Sequence, residues 1–241
     1  ELLLNLDKKI NSEEKNIFFS LIRRRMKFEP VAYIVGYKEF WKHKFKVDKN
    51  VLIPRPDTET LVEEVLKEIE VHSSIRILDI GTGSGCIILS ILRERKNCYG
   101  VGIDISKKAI NLAKYNAKIQ QLENRVKFIH SDIDNFLGYK YDMIVSNPPY
   151  INSLNLSKLD KDVQNYEPKL ALDGGLDGIS EIKKVVKKSS KLIKKKGTLI
   201  LEIGSRQFDN SKEILEKNGF YIQKVLKDLS KKKRGIVSIK I

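Results

Sequence analysis

Cysteine is scarce in this chain: its 241 residues include two, Cys86 and Cys98. Neither stands in a metal-ligand spacing, which argues against a zinc module, and two cysteines cannot build a disulfide scaffold. The expected state is two small buried thiols in a reducing compartment. Histidine is equally thin. His43, His72 and His130 lie far apart and belong to no motif, so no metal site is expected. Long apolar runs are lacking too. No stretch approaches the roughly 20 residues of a membrane-spanning helix, and no signal peptide is legible. The expectation is a cytoplasmic protein without a membrane partner. An initiator methionine is also missing. Glu1 opens the chain with Leu2, Leu3 and Leu4 already in an apolar pattern, so a longer N-terminus is expected.

What is present points to a folded domain. Hydrophobic residues make up 41% and charged residues 32%, which suits a globular chain rather than a disordered one. The length fits one α/β domain with a small appendage. The net charge of +15 would attract nucleic acid or an acidic protein. The lysines are scattered, however, apart from clusters at Lys194–Lys196 and Lys231–Lys233. Such charge resembles compositional drift and names no partner alone.

Residues 1–29 read as helical, with Ile10, Ile17, Phe18, Leu21 and Ile22 near helical spacing and Ser12 as a candidate cap. Pro30 interrupts that pattern. Residues 30–56 read as a hairpin linker: Tyr37–Val47 and Val51–Ile53 are rich in aromatic and β-branched residues, with a turn expected at Asp48-Lys49-Asn50. From residue 57 to 241, apolar strand-like runs alternate with amphipathic helices. Asp57 or Thr58 is the expected cap of a helix carrying Leu61, Val62, Val65, Leu66 and Ile69. Strands are predicted at 75–80, 99–105, 125–130, 141–146, 198–203, 220–226 and 235–241. Helices are predicted at 84–95, 107–120, 180–195 and 207–218, with Gly197 and Gly219 as C-terminal glycines. This alternation predicts an α/β fold: a seven-stranded, mostly parallel sheet covered on both faces. The connection 227–234 is too short for a crossover, so the last strand should run antiparallel.

Three motifs carry chemistry. The first is Ile77-Leu78-Asp79-Ile80-Gly81-Thr82-Gly83-Ser84-Gly85, a glycine-rich turn between a buried strand and a helix. It lets the backbone turn sharply and a ligand approach closely. Its G-x-G-x-G spacing differs from the G-x-G-x-x-G of dinucleotide sites. The second is Asp104, closing the next strand, where a carboxylate can hold both hydroxyls of a ribose. Asp132, after the third strand, either meets an adenine amine or is a loop aspartate; both readings stay open. The third is Ser146-Asn147-Pro148-Pro149-Tyr150, directly after the fourth strand. Two prolines supply no N–H donors, so carbonyl acceptors are what remain. The Asn147 side-chain oxygen and the Pro148 carbonyl can accept both N–H bonds of one planar –NH2 group. Tyr150 can stack on that group and exclude water.

Together these residues resemble class I S-adenosylmethionine methyltransferases, with Rossmann-like folds, and among them the release-factor glutamine methyltransferases. The same resemblance extends to Glu29-Pro30-Val31-Ala32-Tyr33 with Gly36, to Glu39-Phe40-Trp41, and to Leu52-Ile53-Pro54-Arg55-Pro56-Asp57-Thr58-Glu59. It continues in Tyr166-Glu167-Pro168 with Ala171-Leu172-Asp173-Gly174-Gly175. It covers essentially the whole chain, but falls short at the start, where such proteins carry a longer helical domain that docks substrate.

The resemblance implies that Gly81, Thr82, Gly83, Ser84 and Gly85 contact the methionine part and ribose of S-adenosylmethionine, and that Asp104 holds the ribose. Asp132 and Asn147 complete the cofactor set. Asn147, Pro148, Pro149 and Tyr150 would receive the glutamine side chain, with Asn147, Pro148 and Tyr150 as the catalytic group. An aromatic residue often stands near the adenine in the family; Ile133 occupies that position here. The segment from Arg55 to Glu59 is either a rigid start to a helix or, by resemblance, a neighbour of the cofactor. The implied reaction is in-line methyl transfer to the glutamine amide of the Gly-Gly-Gln motif of release factors, leaving S-adenosylhomocysteine, with no metal. The proton would leave to solvent or to Tyr150. Two rivals stand beside it. An adenine-amine methyltransferase of DNA or RNA would use the same four residues and the basic surface. A binding module without turnover would not need the acceptor corner.

Overall fold

The computed structural model describes residues 10–228 and 230–241. Residues 1–9, including Leu2, Leu3 and Leu4, lie outside the described residues. Helix α1 spans Ser12–Met26. Its cap is Asn11, not Ser12. The Asn11 side chain accepts from the Glu14 N–H at 2.8 Å, while the Glu14 carboxylate accepts from the Asn11 N–H at 3.0 Å. Asparagine caps as well as serine, and a glutamate three residues on closes the reciprocal pair. The helix buries none of its residues, and Phe18 and Phe19 are exposed. Helix α2, Val31–Val35, follows Pro30 and stops at Gly36, whose φ of 81° a side chain would oppose.

The hairpin differs from the expected one. Strand β1 is Tyr37–Phe40 and β2 is His43–Lys46, so the chain reverses at Trp41-Lys42. Trp41 adopts φ 57° and is held there from both sides. Its backbone N–H donates to Glu59 at 2.8 Å, and its indole donates to Glu94 at 3.0 Å. Phe40 and Phe45 then meet edge to face, both buried. The turn at Asp48 exists, with the Val51 N–H donating to the Asp48 carbonyl at 3.1 Å. It leads not into a strand but into an extended segment, 51–55, that runs toward the main sheet. Val47, Val51 and Ile53 pack with Tyr33 against Ala109 and Leu112 and fix that segment.

The large sheet has seven strands: β3 Arg76–Ile80, β4 Tyr99–Asp104, β5 Val126–His130, β6 Tyr141–Ser146, β7 Ile193–Glu202, β8 Phe220–Lys227 and β9 Lys233–Lys240. Their order is β5-β4-β3-β6-β7-β9-β8. Only β9 runs antiparallel to its neighbours, because the short 228–232 connection cannot cross back over a face. Helices α3 Glu59–Glu68, α4 Cys86–Glu94 and α5 Lys107–Ile119 cover one face, and α7 Ser180–Leu192 and α8 Phe208–Lys217 cover the other. A short α6, Lys161–Tyr166, lies between β6 and α7. The strand order reverses between β4-β3 and β6, so the carboxyl ends of β3, β4 and β6 form the crevice where open α/β sheets bind ligands.

Two local expectations are corrected. Neither Asp57 nor Thr58 caps α3 with its side chain; Pro56–Thr58 form a tight 3-10 turn instead. Gly197 does not end a helix. Helix α7 stops at Leu192, and Gly197 lies inside β7, where an irregular register leaves room for a Lys194–Gly197 excursion. The left-handed residue there is Lys196, at φ 62°. Gly219 does follow α8 as expected, at φ 75°. Both cysteines are buried and free.

One ion pair, between a buried carboxylate and a half-exposed lysine, ties α3 to the sheet edge. Glu64, with 4% of its side chain exposed, accepts from Lys224 of β8 through both oxygens at 2.7 Å. Lys224→Met should lower stability by about 1–3 kcal/mol, because it strands a buried carboxylate. Lys224→Met with Glu64→Leu should recover most of that loss in a thermal melt. Equal melting of wild type and Lys224→Met would show that the pair contributes nothing.

Candidate active site

The glycine turn is built by hydrogen bonds that leave one side of it open. The Gly81 and Thr82 N–H groups both donate to the Ile103 carbonyl at 2.9 Å, and Gly85 N–H donates back to Thr82 at 2.8 Å. Gly81 and Gly83 have φ of 74° and 55°, and a Cβ on either would project into empty space. That space is where a ligand can lie against bare backbone. Gly85, at φ 80°, stands behind the turn and packs on Leu89 and Phe128 instead. Asp79 sits fully buried under the loop, accepting from the Thr82 hydroxyl at 2.7 Å. Burial pushes its carboxyl up to about 7, against the pull of Thr82.

Asp104 joins the turn to the second strand. Its Oδ2 accepts from Gly83 N–H at 2.9 Å and its Oδ1 from Ser106 N–H at 2.8 Å. Ser106 caps α5 through Ala109, so Asp104 is free of that task. Burial raises its pKa, and the two backbone donors oppose the rise. Asp132 behaves as a loop aspartate and also stands at the edge of the site. It borders the cavity, and its Oδ1 accepts from the Asp134 N–H at 2.8 Å as a loop aspartate does.

The Asn147-Pro148-Pro149-Tyr150 corner leaves β6 beside that turn, pinned by the Ser146 hydroxyl donating to the Ile80 carbonyl at 2.8 Å. The Asn147 Nδ2 donates to Thr58 Oγ1 at 3.1 Å, which turns Oδ1 the other way. Among the described residues, no donor reaches Asn147 Oδ1 or the Pro148 carbonyl. Tyr150 is directed away from that opening. Its hydroxyl donates to Glu202 at 3.3 Å, and its carbonyl accepts from Gln207 Nε2 at 2.9 Å. Burial and the Glu202 charge raise the Tyr150 pKa, so this phenol is a poor proton acceptor.

One cavity of about 620 Å³ joins these pieces. Gly81, Thr82, Gly83, Ser84, Asp104, Asp132, Ile133, Asn147, Pro148 and Pro149 all line it, whereas Gly85 and Tyr150 do not. Its volume falls within the roughly 300–1,000 Å³ usual for small-molecule sites. The groups present fit S-adenosylmethionine: a bare glycine turn, a carboxylate that can accept from paired hydroxyls and an aliphatic flank at Ile133 for a flat base. No group of three or more potential metal ligands occurs among the described residues.

Several residues around the cavity carried an open role or none in the sequence. Leu52, Pro54, Arg55 and Thr58 form one wall; of the Arg55–Glu59 segment, Arg55 and Thr58 border the cavity, while Pro56–Thr58 also lead into α3 as a 3-10 turn. Arg55 pairs with Glu167, whose side chain is 1% exposed and also accepts from the Ile53 N–H at 3.2 Å. Glu202 closes β7 as Asp104 closes β4, a buried strand ending in an acid. The parallel is visible in the sequence, but Glu202 stands on the far side of Tyr150, not in the cavity.

Comparison with known proteins gives the family and the fold. A family model described as a methyltransferase domain matches residues 71–236, and one described as a PrmC N-terminal domain matches residues 1–36. The release factor glutamine methyltransferase of Caulobacter vibrioides is 36% identical over 100% of this chain and 83% of its own length. That of Clostridium acetobutylicum is 38% identical over 99% of this chain and 85% of its own. The bifunctional methyltransferase of Rickettsia felis is 37% identical over 98% of this chain; the chain spans only 50% of that protein. In fold, the chain resembles a methyltransferase from Pyrococcus furiosus, with a TM-score of 0.61 at 14% identity, covering 95% of this chain and 99% of that one. On the sequence relatives and the matched domains, the chain belongs to the release factor glutamine methyltransferase family.

Proposed function

We propose that the chain transfers the methyl group of S-adenosylmethionine to the side-chain amide nitrogen of the glutamine in the Gly-Gly-Gln motif of peptide chain release factors. One observation carries this reading. The Asn147 oxygen and the Pro148 carbonyl stand without donors in the same cavity as the glycine turn and Asp104. Two acceptors and no donor suit an –NH2 group, which is what a glutamine amide presents.

S-adenosylmethionine, when bound, supplies a methyl carbon made electrophilic by its sulfonium. Everything else falls to the chain's own residues. Gly81, Thr82, Gly83, Ser84 and Asp104 hold the cofactor, with Asp132 and Ile133 flanking it. Asn147 and Pro148 grip both amide hydrogens and fix the plane of the nitrogen. An amide lone pair is delocalised, so orientation is worth more here than basicity. The proton released after transfer goes to solvent, since Tyr150 donates to Glu202 and stays neutral. Tyr150 and Pro149 back the corner and keep it rigid.

Residues 57–241 carry the transfer in this reading. Residues 30–56 close one side of the cavity, and residues 1–29 belong to a docking region. The exposed apolar face of α1, with Phe18 and Phe19, supports that last role. The site of action is the cytoplasm, where release factors work. No described helix is long and apolar enough to cross a membrane.

The test is mass spectrometry of a release factor incubated with the protein and isotopically labelled cofactor, alongside DNA and RNA. One labelled methyl on the Gly-Gly-Gln glutamine is the expected result. Label on adenine instead, with the release factor unmodified, would move the assignment to the exocyclic amine, which the +15 charge would suit.

A further inference from the structure

An asparagine amide has two orientations that differ little in shape and oppositely in chemistry. One points oxygen into a site and accepts hydrogen bonds; the other points –NH2 and donates. For an acceptor corner the wrong orientation is disabling, because the substrate amide also brings N–H groups. Whatever faces Asn147 on its other side therefore decides whether the site works.

That neighbour is the Thr58 hydroxyl, which accepts from Asn147 Nδ2 at 3.1 Å. A hydroxyl can also donate, and a donating Thr58 would draw the Asn147 oxygen toward itself. Glu202 removes this freedom. Its carboxylate is 1% exposed, its Oε1 takes the Tyr150 hydroxyl at 3.3 Å, and its Oε2 holds no hydrogen bond of ordinary length. The Thr58 hydroxyl, which accepts from Asn147 Nδ2 at 3.1 Å, is one of the two hydroxyls beside this carboxylate that favour its charged form. Burial pushes the Glu202 carboxyl up to about 7, against the pull of the Thr58 and Tyr150 hydroxyls. In its ionised form it only accepts, so the Thr58 proton is drawn to Glu202 and the Thr58 lone pairs are left for Asn147.

We propose that Thr58 and Glu202 are positioning residues that lock Asn147 with its oxygen toward the cavity, and so select a hydrogen-bond-donating substrate. This inference rests on the acceptor role given to Asn147 above. Thr58 acts from the 3-10 turn before α3 and Glu202 from the end of β7. Thus the Pro-Arg-Pro-Asp-Thr-Glu segment contributes to the transfer itself, through a residue that needs no contact with the reacting atoms.

Thr58→Val keeps the shape and deletes the hydroxyl, whereas Thr58→Ser keeps the hydroxyl. Three measurements on the full chain separate the outcomes: kcat on a release factor, affinity for S-adenosylhomocysteine, and the Asn147 side-chain amide signal in an 15N spectrum without substrate. Thr58→Val should lower kcat roughly ten- to a hundredfold. Its cofactor affinity should stay near that of wild type, and the Asn147 amide signal should shift toward that of exposed asparagines. Thr58→Ser should restore both kcat and the signal. Glu202→Gln offers Thr58 either a donor or an acceptor and should give an intermediate kcat with two Asn147 signals. A wild-type kcat and an unmoved signal in Thr58→Val would overturn the proposal. So would a Thr58→Ser as impaired as Thr58→Val, which marks a packing role. If wild type transfers no methyl to the release factor, the functional reading fails, and the Asn147 signal in the two Thr58 variants still decides the positioning claim.

Discussion

Asn147→Ala should reduce methyl transfer to a release factor by at least about a hundredfold while changing the affinity for S-adenosylhomocysteine by less than about threefold. The split follows from where Asn147 sits. Its nitrogen is committed to Thr58 and its oxygen to the open cavity, so it makes no bond that holds the glycine turn together. That turn is fixed by Ile103, Thr82, Asp79 and Asp104, and none of these contacts involves Asn147. The alanine removes one of two acceptors that hold the nitrogen plane, and a partly held amide rotates out of line. Isothermal titration with the product cofactor and single-turnover kinetics would report the two quantities separately. Equal losses in both would mean that Asn147 supports the cofactor rather than the substrate. Near-normal turnover would remove the acceptor corner from the mechanism altogether.

Much of the fold was legible because its signals are local. Each β strand of the large sheet lies within a few residues of an apolar run, and the single antiparallel strand follows from a connector too short to cross. Local signals also explain the errors. Trp41 takes a left-handed turn because Glu59 and Glu94, distant in sequence, reach its two N–H groups. No pattern within 37–53 contains that fact. Gly197 sits at a spacing that suits a helix end, yet the register of β7 against β6 decides its place. The same division holds at the site. Gly81 and Gly83 follow β3, Asp104 closes β4 and Asn147 follows β6, so the sheet itself brings them to one edge. Thr58 and Glu202 matter through partners 89 and 52 residues away, Asn147 and Tyr150 respectively. Sequence spacing carries no trace of such pairs. Pro54, Arg55 and Thr58 reach the cavity only because Tyr33, Val47, Val51 and Ile53 anchor the preceding segment on α5.

The second large effect is expected at Gly174, which touches no ligand. A Cβ built there would lie 2.8 Å from the Gly178 carbonyl oxygen, 2.8 Å from Tyr150 Cα and 2.9 Å from the Pro149 carbonyl oxygen. All three atoms are backbone, so no side chain can swing aside to relieve the overlap. Two of them belong to the acceptor corner itself. Gly174 is held against that corner by its own N–H donating to the Ile151 carbonyl at 2.8 Å and by Ser180 N–H donating to its carbonyl at 3.0 Å. Asp173 next to it accepts from the Ser153 hydroxyl at 2.6 Å and from Gly175 N–H at 2.9 Å, so the segment cannot retreat freely. Gly174→Ala must therefore push the Pro149-Tyr150 backbone by several tenths of an ångström. Positional errors of that order cost on the order of ten- to a hundredfold in rate. The variant should fold, with stability lower by about 1–3 kcal/mol, since one methyl group is all that is added. Cofactor affinity should stay close to that of wild type, because the glycine turn lies on the other side of Asn147. The deciding comparison is kcat measured well below the melting transition of the variant. A loss of rate there, with cofactor binding intact, means that the corner works by position. Unchanged kcat in a well-folded Gly174→Ala would mean that the two acceptors tolerate displacement, and that orientation of the amide contributes far less than proposed.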